Sequence, residues 1–555
     1  MQLRRSIAVP GAAAGLVLAA GAAAWPFTVD DAFVLARYAR RIAAGLGYTM
    51  NDGPPTDGVT GPLALVPALL GELAAGDPVG ASKLAGLASM AVAVALIVRR
   101  ALEGGTARAL LTAALATTGS TTSAWAVAGL ETGLATLALT VLALAVLPRA
   151  ATAPRPLRRG VAAGLSVAAL AWLRPELALA SGFLLVALLR ADRRAASVAL
   201  ALALAGASSI VLFRVAMFGT PLPLSAQAKP PDLGHGLEYA ARAAWIALGG
   251  GGVLALFLSA REGGLAERVA TGAVLVHAFA VVIAGGDWMP SFRLFAPVLP
   301  LYALAASAPI AARLGMPGRR AAGAALAAAC LALPTLDLAL QLPLVRAAGE
   351  TRETRGRELA EWLAANAERV AMVDVGYAAF ASGVEVIDLG GITDPAIGGL
   401  PGGHLDKRID PGALRARDPD TIVLHAAAPP RVEDGRLRSL AGYPVERRVA
   451  AMAWVRAEMR VVRVLEYAPH YHYVILARPR EHRSGPTTRR TASRPGRGAC
   501  ALGSPRPAAF GTLRAWRTVW LPGSWSRRRC CAIRTSSAAW SCSSSTVRRA
   551  RSASS

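Results

Sequence analysis

Asp30 and Asp31 stand side by side directly after an apolar run, and arginines follow at 37, 40 and 41: TVDDAFVLARYARR. A carboxylate can take the proton of an attacking hydroxyl or orient it. A guanidinium binds phosphate through paired hydrogen bonds. The two together suit a lipid-phosphate substrate whose tail stays in a bilayer and whose phosphate sits at headgroup depth. Asp30 is also a good N-cap for a helix beginning near Ala32. In that helix Val34, Leu35, Tyr38 and Ile42 share one face, and Arg37, Arg40 and Arg41 another. This predicts a helix lying in the membrane interface with its apolar side down.

Other charges fall at the ends of apolar runs in the same way. AGLETGL carries Glu131, and WLRPELAL carries Arg174 and Glu176. FRVAMFGTPLPLSAQAKP carries Arg214 and Lys229, and AGGDWMPSFRLFAP carries Asp287, Trp288 and Arg293. Charges at membrane depth cost several kcal/mol, so they mark functional sites by default. Each also has a bland reading. Arg174 and Glu176 make a local ion pair, Asp287 and Arg293 cap two helices, and Lys229 is a solvated loop charge. His235 and His277 read as structural. Arg37, Arg174, Lys229 and Arg293 are the candidate phosphate-binding cations. Glu131, Glu176, Arg214, Asp287 and Trp288 are candidates for other substrate contacts.

The elements that must hold these residues are largely apolar. The chain has 555 residues, 54% of them hydrophobic, with a mean hydropathy of +0.42. Apolar stretches of about 18 or more residues recur through the first 344 positions, each long enough to cross a hydrocarbon core. They predict a mainly α, polytopic membrane protein of about eleven spans: near 7–25, 80–98, 109–128, 131–147, 160–173, 176–190, 195–213, 240–258, 268–285, 294–312 and 320–344. The stretch 61–75 reads as a juxtamembrane or re-entrant piece. With a cytoplasmic N-terminus, Arg99, Arg100, Arg149, Arg155, Arg158, Arg159, Arg313 and Arg320 fall in inner loops, as positive-inside bias expects. An odd span count then puts everything after 344 outside the cytoplasm.

Residues 345–480 change character. RVAMVDVGYAAFASGVEVIDLGG, DTIVLHA and YHYVILARP read as short strands, and ETRGRELAEWLAANA as an amphipathic helix. A small extracytoplasmic α/β or α+β domain is expected there. From 481 to 555 the chain carries fifteen Arg and one acidic residue and shows no periodicity, so a disordered tail is expected. That tail supplies much of the net charge of +25. No Lys/Arg stripe with interleaved aromatics lies in a folded segment, so nucleic acid is not an expected partner. Cys330 reads as an apolar filler, and the other four Cys lie in the tail. No spacing points to zinc or to a disulfide framework.

In this order, DDAFVLARYARRIAAGLGYTMNDG, GLETGL, LRPELAL, FRVAMFGTPLPLSAQAK, GGDWMPSFRLFAPVLPL, DVGYAAFASGVEVIDLGGITDPAI and GGHLDKR resemble the GT-C glycosyltransferases that use polyprenyl-phosphate sugars. Among these enzymes they resemble in pattern the terminal β-arabinofuranosyltransferase family of mycobacterial cell-wall arabinan. The resemblance spans roughly residues 28–410. It implies a GT-C membrane fold in residues 1–344 and a catalytic carboxylate in the first outer loop, Asp30 with Asp31 as neighbour or alternate. It adds His404 to the substrate contacts. It implies a polyprenyl-phosphate sugar as donor, arabinofuranose being one option, and a glycan or lipid acceptor at the outer face of the plasma membrane. No nucleotide or other cofactor is implied, and a divalent cation is left open. Two further readings stay open: a lipid-linked sugar transporter or flippase, and a lipid-A-type or protein O-glycosyl GT-C transferase.

Overall fold

A computed structural model describes residues 2–147 and 156–479, with side chains from Ile7 onward. The expected disordered tail and the loop arginines Arg149 and Arg155 lie outside the described residues. The chain is mainly helical up to Asn366 and then builds a small sheet.

Five helices are long and apolar enough to cross a membrane: Pro78–Gly104, Arg193–Phe218, Leu265–Ala284, Arg293–Gly315 and Pro317–Asn366. Ser120–Val127 and Thr132–Val146 make a sixth if that pair, bent by 115°, counts as one span. The expected segment 109–128 is broken into Thr106–Thr117 and Ser120–Val127. The expected segment 240–258 is two helices, Leu233–Ile246 and Gly252–Glu262. Between them Gly249 has φ +77°, and a Cβ there would meet the Cys330 carbonyl oxygen at 2.2 Å, so only glycine fits the turn. Ala-rich windows are equally apolar in a long span and in short helices packed against it, and the sequence pattern does not separate the two. Residues 62–75 form a short 3₁₀ turn and the helix Leu65–Ala75, shorter than a full membrane crossing.

The surface is divided in kind. Leu84, Leu110, Leu165, Leu200, Leu212, Phe257, Phe279 and Leu340 all point outward from the helical part. Among the described residues only Val432, Val462 and Val464 are exposed large hydrophobics beyond residue 344. A soluble surface rarely exposes apolar area on the first scale, whereas a bilayer would cover it. The helices are compatible with a multi-pass membrane protein.

The sheet has five strands in the order β2-β1-β3-β7-β6: β1 (Arg369–Met372), β2 (Glu385–Asp388), β3 (Thr421–Ala426), β6 (Arg460–Ala468) and β7 (Tyr471–Ala477). β4 (Arg431–Glu433) and β5 (Arg436–Ser439) make a separate hairpin. β1 runs parallel to β2 and β3, and β7 runs antiparallel to β3 and β6. Alternate residues serve two cores, as strand geometry requires. Val370, Met372, Val423 and Ile475 face one layer, and Ala371, Ile422, Leu424 and Leu476 the other.

The first layer corrects one expectation. The helix Asp30–Ala43 does form, but its apolar face is not laid on a membrane. Val34, Leu35 and Tyr38 pack into one core with Leu359, Leu363, Val370 and Met372 of the sheet domain. Sheet and membrane-proximal helix therefore share a core across the compositional boundary at 344/345. The chain crosses that boundary without a linker. Arg320–Thr351 is one helix, which passes through a π turn at Arg352–Gly356 into Arg357–Asn366.

Candidate functional site

In an open sheet with parallel strands, ligands bind beyond the carboxyl ends of the strands, where neighbouring strands send the chain to opposite sides. Here that point lies between β1 and β3. β1 is flanked by β2 on one side and β3 on the other. Asp374 follows the end of β1, and His425 is the penultimate residue of β3.

Both side chains turn into the same polar cluster. Asp374 Oδ2 accepts from His425 Nε2 at 2.9 Å, the Tyr471 hydroxyl at 2.7 Å and the Tyr473 hydroxyl at 3.1 Å. The cross-strand register places Tyr473 directly opposite His425. On the far side of the ring, His425 Nδ1 lies 2.5 Å from Glu446 Oε1, and Glu446 is fully buried. Glu446 also accepts from the backbone amides of His425 and Tyr443, which fixes it at the start of the helix Pro444–Ala451. Burial disfavours charge on His425, but the carboxylates of Glu446 and Asp374 outweigh it and hold its pKa well above the usual value. Burial also works against an ionised Asp374. The His425 cation and the three donors prevail and keep this carboxyl well below its usual range.

Asp30 reaches the same point from the membrane-proximal helix. Its own helix is not what it caps, because that helix begins at Asp30 with Val29 as N-cap. Its oxygens instead accept the amides of Gly376 at 2.8 Å and Tyr377 at 2.9 Å, at the turn that leaves β1. A Cβ on residue 376 would lie 2.1 Å from the Asp30 carbonyl oxygen, so glycine permits this approach. Asp30 and Asp374 line one narrow, tightly closed cleft with Arg352, Tyr377, Tyr467 and Tyr473. Burial, together with the negative charge of Asp374, raises the Asp30 pKa to about 6. Arg352 and the Tyr377 amide pull the other way without cancelling this. Arg352 is itself buried, bonded to the Thr28 carbonyl oxygen and stacked 5.7 Å from the Phe33 ring. Asp31 has no hydrogen-bond or ion-pair partner among the described residues.

The remaining residues expected from sequence fall into three places. Arg37 is buried, with Nε on the Met50 carbonyl at 2.8 Å and Nη2 on the Val384 carbonyl at 2.8 Å. Nη1 donates to the Ala379 carbonyl, so this guanidinium clasps the helix to the sheet domain. Glu131, Arg174 and Glu176 join at 2.9 Å each, and Asp287 and Arg293 pair at 2.8 Å. Arg293 also stacks 5.6 Å from the Trp125 ring, while Trp288 stays half-exposed. This second cluster shares no hydrogen bond or ion pair with the cleft residues among the described residues, and each of its arginines is paired with a carboxylate. Arg214 pairs with Asp57 at 3.2 Å and donates to the Thr60 carbonyl at 2.5 Å.

Lys229 and His404 differ from all of these. Neither side chain has a hydrogen-bond or ion-pair partner among the described residues. Burial, followed by the charges of Lys229 and Lys407, lowers the His404 pKa to about 3, so the ring is neutral. Asp374 is also within electrostatic reach of His404. Lys407 is engaged by the carbonyls of Gly398 and Leu400. Another buried carboxylate, Asp388, accepts from Gly390, Gly391 and both the amide and hydroxyl of Thr393, which makes it the organiser of that turn. Among the described residues no group of three or more His, Cys, Asp or Glu stands close enough to hold a metal ion.

Asp374, His425, Glu446, Arg352 and the four tyrosines Tyr377, Tyr467, Tyr471 and Tyr473 are not among the residues expected from sequence. The signal was positional: VAMVD and IVLHA each end an apolar strand run on a titratable residue. A model of a domain of unknown function, DUF8728, matches residues 345–490. No curated protein matches the chain.

Proposed function

We propose that the protein is a membrane glycosyltransferase that moves a sugar from a polyprenyl phosphate to a hydroxyl of a glycan or lipid, with Asp30 as its base. The observation that carries this reading is the Asp30–Asp374 cleft. It holds two carboxylates with pKa values pushed apart, at the seam between membrane helices and a soluble domain. A pKa near the working pH is what a general base needs. The acceptor oxygen attacks C1 of the sugar and gives its proton to Asp30. The C1–O bond to phosphate breaks, and its electron pair leaves with the phosphate. Lys229, unpaired among the described residues, is the cation for that leaving group, and His404, which feels its charge, is a neutral polar contact. Tyr377 and Tyr467 offer apolar ring faces to a sugar. The resemblance of segments 28–410 to GT-C enzymes supports the same reading, including about eleven membrane-embedded helical segments and an extracytoplasmic sheet domain. The terminal arabinofuranosyl reaction is the first substrate pair to try. The decisive measurement is transfer from radiolabelled polyprenyl-phosphate sugars by purified protein in proteoliposomes. No transfer with any pentosyl or hexosyl donor, alongside donor movement between leaflets, would instead make it a transporter.

A further inference from the structure

The match to a domain of unknown function leaves open what residues 345–490 contribute, and the cleft supplies an answer. We propose that this domain completes the site by placing Asp374 as a fixed negative charge beside Asp30, and that a buried Glu446–His425 relay holds it there. Asp374 is then a positioning residue, and the inference rests on the reading of Asp30 as the reacting base.

The geometry is specific. Three donors converge on Asp374 Oδ2, and its other oxygen has no hydrogen-bond partner among the described residues. His425 is fixed from both sides, with its second nitrogen on a fully buried Glu446. Glu446 is anchored in turn by two backbone amides. A free carboxylate would rotate or take up a proton. This one is locked in place and kept charged. Nothing in a purely structural pairing requires the locked carboxylate to open onto the cleft that Asp30 lines. The other groups that face Asp30 are Asp31 on its own helix, Arg352 from the π turn, Tyr377 after β1, and Tyr467 and Tyr473 from β6 and β7. Of these, only Asp31 is a second acid, and it lies on the same helix. The proton balance of Asp30 therefore depends on a charge delivered by the other domain.

The test reads Asp30 directly and needs no turnover. The protonated-carboxyl infrared band of Asp30 is isolated by subtracting the Asp30→Asn spectrum and followed across pH in detergent. Wild type should titrate near pH 6. Asp374→Asn removes the negative charge and should move the midpoint down by about one pH unit. His425→Gln keeps a donor but removes the positive charge that screens Asp374, and should move the midpoint up. If His425→Gln fails to accumulate, Tyr471→Phe removes one donor from Oδ2 and should give a smaller upward shift. An Asp374→Asn protein in which Asp30 titrates as in wild type overturns the proposal. So would lowered melting temperatures in these variants with no movement of the band. Opposite shifts without sugar transfer would leave the proposal standing and remove the glycosyltransferase reading. Transfer with an unmoved band would do the reverse.

Discussion

Two clusters of charge in this protein contain similar side chains and are built on opposite plans. In the Glu131–Arg174–Glu176 and Asp287–Arg293 cluster, each arginine is directly paired with a carboxylate. In the cleft, Asp30 is held by two backbone amides and faces a second acid. Compensation lets a buried charge stay buried at tolerable cost, and its removal exposes the full desolvation penalty. A carboxylate set against another carboxylate costs stability but gains proton affinity, which chemistry can use. The first cluster reads as a latch between helices, and the second as a place where a proton moves.

The contrast breaks most sharply at Asp30. Asp30→Asn should lower transfer by at least about 100-fold, the usual contribution of a general base. Donor binding, measured separately by equilibrium dialysis, should stay within about twofold. Asn keeps one of the two amide contacts, so modest destabilisation is expected as well. That part can be separated by pH. The folded-state pKa of Asp30 is raised, so its stabilising contribution is present below its unfolded pKa and fades as pH rises through about 6. The melting temperature of Asp30→Asn relative to wild type should therefore improve between about pH 4 and pH 7. A difference that does not change with pH would mean Asp30 is ionised throughout.

Arg174→Ala makes the opposite test. It leaves the half-buried Glu131 and Glu176 without the buried Arg174 cation and should cost about 3 kcal/mol, the lower end for breaking a buried pair. Loss of folded protein in detergent, seen by size-exclusion profile, is the expected result. Stable protein with lost transfer would move this cluster into the reaction. Lys229→Ala is the mildest change. It breaks no side-chain hydrogen bond or ion pair among the described residues, so stability should hold, while donor affinity falls roughly tenfold through loss of one charge-assisted phosphate contact. Unchanged donor affinity would remove Lys229 from the leaving-group role.

Orientation bears on both clusters. Reporter fusions in the Arg431–Ser439 hairpin should report the side opposite to the N-terminus, as the odd span count expects. A cytoplasmic signal there would put the cleft on the wrong face for a polyprenyl-phosphate donor of the outer leaflet.

Part of this was legible in the chain. The Asp30–Asp31 pair announces itself because two acids at the end of an apolar run are costly and local. The amphipathic helix after it was also legible, but what covers it was not. A stripe of Val34, Leu35 and Tyr38 is the same stripe whether lipid or a β-sheet buries it. Arg37 reads as part of a polar face and is instead a clasp, because two of its three carbonyl partners lie more than 340 positions away. Asp374, His425 and Glu446 were hidden for a related reason. They meet only through strand order, across separations of 51 and 21 residues. The number of spans is not legible in the sequence, because glycine turns and prolines divide Ala-rich runs into helices of many lengths.

The helix that runs unbroken from Arg320 into the π turn at Arg352–Gly356 also sets a rotational phase. Each residue of an α-helix turns whatever follows it by about 100° and advances it by about 1.5 Å. A π turn holds one residue more than the α-helical turn it replaces. The sheet domain is thus dialled into position by one extra residue in a continuous helical axle. The axle is pinned where a Cβ at Gly349 would lie 1.9 Å from the Pro26 carbonyl oxygen. Excising a single residue between 352 and 356 would leave every side chain of the cleft intact and swing Asp374 about a quarter turn away from Asp30.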